Sequence, residues 1–576
     1  MTRFTILVAL AGAPLALGAQ TIPAAPVSDA IMVAAPATTL PLKRAPRRTT
    51  PAISASDLMT RLYIFADDSM MGREAGTQGN VKGTDYLAAE AKRIGLLPAG
   101  DNGTYFQTIP LKTRLTDSAS TLAIAGIALA FGSEWSASAT RSLPSTELQT
   151  VFGGTLGDTA TYLTAEGGAG KLVVFRMSGA SGRSLRGAGR AAPNAAAVAV
   201  IVPPQLLAFY RRPATFVDDP SYAVPGALRP TVVLTAAAGA RLFSGALEQL
   251  TTGAAGIPVT LGVSVTVTPV PFPARNVVGL LRGSDPRLRG EYVAIGAHND
   301  HIGANGRPVD HDSLRIFNHI VRPGGAEDSG NQPSDTQQLR VNEELATWRA
   351  SHPGTTRLDS IANGADDDGS GSVSVLEIAE QLAAGKRKPK RSILFVWHVG
   401  EEKGLLGSAY FTDHPTVPRD SIIAQLNMDM VGRGDAWDVA GSDKDGNVMH
   451  GGPNYLQLVG SRRLSTELGD LVETVNAEQQ PGFVFDYSID ANGHPANIYC
   501  RSDHYEYARY GIPITFFTTG GHSDYHQVSD EAQYIDYDRM ARVATLVSNV
   551  AVRLGNLDHR VVVDQPKPDP KSACRQ

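Results

Sequence analysis

Between residues 274 and 556 the chain alternates short apolar runs with longer amphipathic ones, and few folds can satisfy that rhythm. Runs at 292–297, 393–399, 422–428 and 513–517 are almost wholly apolar, as strands buried on both faces must be. Residues 370–384 and 539–554 carry apolar side chains at helical spacing. Strands separated by helices predict an α/β fold with a doubly wound, mostly parallel sheet and helices on both faces. Ligands of such sheets collect beyond the carboxyl ends of the strands, so the residues following each apolar run carry the functional information.

Those residues form a selective set. His298, Asn299 and Asp300 follow the first run, Glu401 and Glu402 the second, and Asp429 lies at the end of the third. His522, Asp524 and His526 follow the fourth. A fifth element, Asp366, Asp367 and Asp368, leads directly into the helix predicted from residue 370. Acids at a helix start are ordinarily caps that complement the helix dipole. Beside strand-end histidines and carboxylates, a metal site accounts better for them. Oxygen and imidazole donors without thiolate suit zinc, and a carboxylate can bridge two ions about 3.5 to 4 Å apart. Which of the three aspartates bridges, and whether His522 or His526 is the ligand, stays open at the level of spacing. His398 lies within a strand and reads as a packed core histidine; His504 has no assigned role.

The motifs also carry a resemblance. GAHND at 296–300, GADDDGSG at 364–371, GEEKGLLGS at 400–408, NMDMVG at 427–432, SDH at 502–504 and YHQVSD at 525–530 stand in one order. In that order they resemble the co-catalytic zinc exopeptidase family of bacterial leucyl aminopeptidases, aminopeptidase Y and glutamate carboxypeptidase. The resemblance implies two zinc ions, with Asp367 bridging both, Glu402 and His526 completing one site, and His298 and Asp429 the other. Glu401 is then free to act as general base, and Tyr499 matches a position where relatives place a hydroxyl near the oxyanion. Asp300 and Asp530 are expected one layer out, each accepting from the second nitrogen of a ligand histidine. Asn299 departs from the family, which usually has an aromatic residue there.

The resemblance further implies an aminopeptidase acting on peptides. A carboxypeptidase of the same family is the alternative, since Arg433 and Arg501 lie near the motifs and could hold a terminal carboxylate. A glutaminyl cyclase, which uses one zinc on a similar sheet, is less favoured because of the extra domain expected here. A receptor-like relative without metal is disfavoured because all five ligands and the base are present.

At 576 residues the chain exceeds the roughly 250 to 300 at which single cores stop growing. Residues 54–113 are expected to be the first segment of the catalytic domain and 271–558 its main part. Between them, 114–270 is rich in Ala, Gly, Thr and Val with short β-like runs at 171–175, 198–202 and 259–267, and contains no histidine. It resembles the protease-associated domain that many members carry as an insertion. Residues 303–362 form a long polar insertion with one predicted helix at 336–350, expected to rim the active site.

Residues 1–19 read as a secretory signal, with Arg3, an apolar stretch broken by Pro14, and small residues before Gln20. A flexible linker is expected at 20–53 and a polar tail at 559–576. The protein is therefore expected to be exported and soluble after signal removal, without membrane partners. Its net charge of -5 offers no basic face for nucleic acid. Cys500 and Cys574 are the only cysteines, which excludes a thiolate metal site and leaves their pairing undecided. The oligomeric state is not legible.

Overall fold

Nine strands assemble the central sheet of this computed structural model, which describes residues 40–177, 188–222, 229–243, 246–354, 356–433 and 451–576. In chain order they are β1 (Leu97–Pro98), β2 (Phe106–Ile109), β3 (Ala274–Leu281), β4 (Tyr292–His298), β5 (Ser392–His398), β6 (Ile422–Met428), β7 (Tyr455–Val459), β8 (Val484–Asp486) and β9 (Ile514–Thr518). Their spatial order is β1-β3-β5-β4-β6-β9-β7-β8, with β2 also pairing β3. Strands β5, β4, β6 and β9 are parallel neighbours, whereas β3 runs antiparallel to β5 and β7 to β9. The expected mostly parallel sheet is therefore parallel at its centre and in the edge pair β7–β8, with antiparallel pairings at β3 and between β7 and β9. The architecture is mixed α/β.

The four parallel strands are the apolar runs of the sequence, and burial on both faces explains their composition. Along β4, Val293, Ile295 and Ala297 enter one apolar cluster with the helices Ala55–Phe65, Gly371–Ala384 and Tyr537–Asn556. Ala294 enters a second cluster with Phe411 and Tyr507 from the helices Leu406–Asp413 and His504–Ala508. Helices thus cover both faces, and the polar strand ends are left as the place where side chains converge.

Residues 111–269 contribute two further sheets, one of three strands and one of eight among the described residues. The eight-stranded sheet has its own apolar core, including Leu122, Trp135, Phe152, Val174 and Leu261. The insertion after β4 contains the helices His311–Val321 and Asp335–Ser351 and a two-stranded ribbon, Ala304–Asp310 with Leu358–Ile361. A capping box between Ser334 and Gln337 starts the second helix where the sequence predicts one.

Both ends of the described chain are tied down more firmly than their composition suggests. Residues 40–53, expected as linker, lie against the helices Ala55–Phe65 and Gly371–Ala384: Thr50 donates to Asp57 and Thr49 to Glu380. The polar tail is joined by the Cys500–Cys574 disulfide, and the side chain of Gln576 accepts from the Tyr499 amide at 3.0 Å. The expected export signal and residues 20–39 of the linker lie outside the described residues. No helix among the described residues is long and apolar enough to cross a membrane.

Candidate metal centre

Three neighbouring aspartates are sorted by their hydrogen bonds. Asp366 accepts the Gly432 amide at 2.7 Å and sits 3.2 Å from His522 Nε2. Asp368 accepts the amides of His298, Gly371 and Met430 at 2.9, 2.9 and 3.3 Å. Asp367 alone turns both carboxylate oxygens to histidines: Oδ1 is 3.1 Å from His298 Nε2, and Oδ2 is 3.0 Å from His526 Nε2. Two glycines make this crowding possible. A Cβ on Gly364, at φ +54°, would lie 2.2 Å from the Asp367 carbonyl, and one on Gly371 would lie 2.3 Å from both Asp368 Oδ1 and the Met428 carbonyl.

Around Asp367 the side chains fall into two groups. His526 Nε2 is 2.9 Å from Glu402 Oε2, so Asp367, Glu402 and His526 converge on one side. His298 Nε2 is 3.7 Å from Asp429 Oδ1 on the other, and Ser502 holds Asp429 by donating to its second oxygen at 2.7 Å. Asn427 in turn donates to the Ser502 hydroxyl at 3.0 Å.

Buried atoms in this centre lack hydrogen-bond partners where a cation would supply one. They are His298 Nε2, Asp367 Oδ2, Glu402 Oε1 and both nitrogens of His301. Orphaned buried donors and acceptors are costly unless something satisfies them. Their chemistry, imidazole and carboxylate without sulfur, fits zinc.

Sequence reasoning missed His301. Its Nδ1 lies 2.8 Å from Glu402 Oε1 and 3.8 Å from Asp367 Oδ2, and it forms one convergent group with Asp367, Glu402 and His526. The available signal was its position three residues after His298, in the turn that leaves β4.

Charge divides the adjacent glutamates. Burial raises the Glu401 carboxyl well above its ordinary range, and Glu402 and Asp429 push the same way. Burial and Asp367 would also raise Glu402, but His526 and His301 outweigh them and hold it at about 2. For Asp367 the upward pull of burial is overcome by His298 and His526, so it stays well below the usual carboxylate range.

Two expectations, those for Tyr499 and Asp530, need correction. Tyr499 is not among the converging side chains: its ring packs beside Arg463, His504 and Tyr505 in the apolar cluster beneath β9, and its amide donates to Gln576. The tyrosine beside the carboxylates is Tyr525, stacked on His526 at 4.0 Å, with its hydroxyl 3.4 Å from Arg501 Nη2. Asp530 does not reach the second nitrogen of His526. Its carboxylate accepts the Asp366 amide at 3.0 and 3.1 Å and the Asp367 amide at 3.1 Å, fixing the backbone of Asp367. Asp300 does lie against His298 Nδ1, its carbonyl at 3.1 Å and its carboxylate Oδ1 at 3.7 Å, and the carboxylate also accepts the amides of Gly400 and Glu401 at 2.8 and 3.2 Å. The strand end bearing His298 is thereby joined to the one bearing the glutamates.

The other histidines do not converge on Asp367. His398 is buried 3.1 Å from the Tyr507 hydroxyl, with burial lowering its pKa to about 3, and His504 stacks on Phe516. Asn299 is also structural, accepting from Asn80 at 2.8 Å and donating to the Trp397 carbonyl.

The insertion reaches the loop that carries His526. Ala326 donates to the Tyr525 carbonyl at 3.1 Å, Arg315 to Asp524 at 3.3 Å, and Glu327 pairs with Arg501 at 2.6 Å. Arg433 donates to Asp524 at 2.8 Å.

Residues 350–551 match the family described as Peptidase family M28. Leupeptin-inactivating enzyme 1 of Streptomyces exfoliatus is 28% identical over 212 residues, covering 35% of this chain and 45% of its own. Leucine aminopeptidase 1 of Fusarium vanettenii is 27% identical over 267 residues, covering 42% of this chain and 63% of its own. The chain thus spans about half the length of the curated relatives it matches. The solved aminopeptidase from Aneurinibacillus sp. strain AM-1 shares the fold, with a TM-score of 0.50 and 18% identity over 90% of this chain and 97% of that one.

Proposed function

We propose that this chain is a zinc exopeptidase of peptidase family M28, to which residues 350–551 are similar, and that it is an exported two-zinc aminopeptidase releasing N-terminal residues from peptides. The observation that carries this reading is Asp367, whose two oxygens face His298 and His526 separately. Asp367, Glu402 and His526 would hold one zinc, and Asp367, His298 and Asp429 the other. Zinc there would supply Lewis-acid polarisation of the scissile carbonyl and lower the pKa of water.

The residues' own work follows from their positions. Glu401, adjacent to a ligand yet in neither group, takes a proton from water and returns it to the leaving amine. Its backbone is steadied by Asp300, so the carboxylate is aimed from a fixed strand end. The Tyr525 hydroxyl, beside Arg501, is the donor for charge developing on the carbonyl oxygen.

The carboxypeptidase alternative is weakened by the arginines it requires. Arg501 is engaged by Glu327 of the insertion and Arg433 by Asp524, which offsets the positive charge a terminal carboxylate would need. Export is supported by the Cys500–Cys574 disulfide, a bond that persists in oxidising compartments. The histidine-free segment 114–270 is assigned as a protease-associated insertion, and 54–113 with 271–558 as the catalytic domain.

The test measures bound zinc, then hydrolysis of amino-blocked and carboxyl-blocked dipeptides with and without chelator. Two zinc ions per chain and chelator-sensitive cleavage that requires a free amine are expected. Cleavage surviving complete zinc removal would eliminate the mechanism, and cleavage confined to amino-blocked substrates would replace aminopeptidase with carboxypeptidase.

A further inference from the structure

We infer that His301 is a third imidazole ligand of the centre, binding through Nδ1 at the Glu402 and His526 site and making the two metal positions unequal. The inference rests on the two-zinc reading above and concerns a residue outside the five ligands assigned there. Its first support is convergence: one donor atom each from His301, Asp367, Glu402 and His526 lies within 4.8 Å of the others. Ligands about 2.0 to 2.1 Å from a tetrahedral zinc are roughly 3.3 Å apart. The contacts here run from 2.8 to 3.8 Å, bracketing that value: Nδ1 to Glu402 Oε1 and to Asp367 Oδ2 at the two ends, and His526 Nε2 to both carboxylates between them.

The second support is how His301 meets its neighbours. The ring is fully buried, yet neither nitrogen has a hydrogen-bond partner, although Nδ1 is 2.8 Å from a carboxylate oxygen. His298 Nε2 shows the same combination, close to carboxylates without hydrogen-bond geometry. A histidine placed only to orient Glu402 would aim its N–H along the acceptor direction. The backbone also secures the ring. The His301 amide donates to the Arg73 carbonyl at 3.3 Å, and a Cβ on Gly364 would lie 2.5 Å from His301 Cγ, so the ring packs directly on the loop that presents Asp367.

With His301 included, the Glu402 side has two imidazoles and two carboxylates, while the His298 side, where Asp368 converges with His298 and Asp429 but is engaged by three backbone amides, has one imidazole and, with Asp367, two carboxylates left for metal. Added ligands raise affinity, so the Glu402 side fills first and empties last.

Zinc-edge X-ray absorption on the fully loaded protein counts imidazoles without requiring turnover. Three imidazoles shared by two zinc ions are expected in the wild type and two in His301→Ala, with the variant needing at least about 10-fold more free zinc for its first equivalent. Two imidazoles in the wild type would overturn the inference even if His301→Ala failed to fold, and would leave the two-zinc reading standing. Three in both proteins would overturn it as well, by giving the third ligand to another histidine. A wild type that retains no zinc would instead remove the metal reading itself, and this inference with it.

Discussion

His526 Nε2 stands 2.9 Å from Glu402 Oε2, linking the loop after β9 to the loop after β5 across the sheet's carboxyl edge. Glu401 precedes Glu402 but belongs to neither convergent group. The two glutamates should therefore separate by experiment. Glu401→Gln is expected to keep its full zinc content and lose about 100- to 10,000-fold in kcat, the range for general base catalysis. Glu402→Gln should lose zinc from one position. Zinc analysis beside kcat measures both, and loss of zinc from the Glu401 variant would exchange the two roles.

Asp530 offers a test of how Asp367 is held. It touches no candidate ligand side chain, yet it accepts the backbone amides of Asp366 and Asp367. Asp530→Ala leaves every ligand in place and removes the support for the Asp367 backbone. Zinc affinity is expected to fall about 10- to 100-fold, as when a supporting partner is lost. Competition with a chromophoric chelator reads this directly, and an unchanged affinity would make the Asp530 contact dispensable.

The legible parts of this fold were those with continuous burial. The parallel strands β4, β5, β6 and β9 are apolar along their length, so their ends could be located within a residue or so and the polar residues beyond them read as a site. The antiparallel strands β3 and β7 were missed, since without flanking helical periods their runs resemble loop residues. His301 was missed for a related reason: it lies in a turn, where a second histidine has no periodicity to mark it, and only the fold of 364–368 brings Asp367 to it. Tyr499 was misplaced because proximity in sequence to Ser502 and Asp503 said nothing of its packing beside Arg463, His504 and Tyr505. Asp530 was assigned to the wrong partner because backbone amides carry no signature in a sequence.

The Cys500–Cys574 bond closes a loop of 74 residues. Loop-closure entropy for that length is worth about 4 kcal/mol against the unfolded chain. Cys574→Ser and reduction of the wild type are each expected to lower the urea midpoint by the same amount, and reduction should not alter the variant further. Equal midpoints for the oxidised and reduced wild type would show that the tail contributes nothing through this link.

Glu377 carries a pH dependence that can be isolated. Its side chain is buried against Arg61 at 2.9 Å, in a network that also includes Glu90 and Glu380. Burial raises its pKa to about 7 despite the opposing pull of Arg61. An unfolded glutamate titrates at about 4.3, so between those values the folded protein holds the extra proton. By linkage, the stability this contributes is complete below the unfolded value and is lost as pH rises toward 7. Glu377→Gln removes the titration while keeping the shape. The wild type is therefore expected to lose about 1 to 3 kcal/mol relative to the variant between pH 5 and pH 7.5, measured by urea unfolding at saturating zinc. Parallel curves across that window would show that Glu377 remains ionised throughout, with Arg61 overcoming the cost of burial.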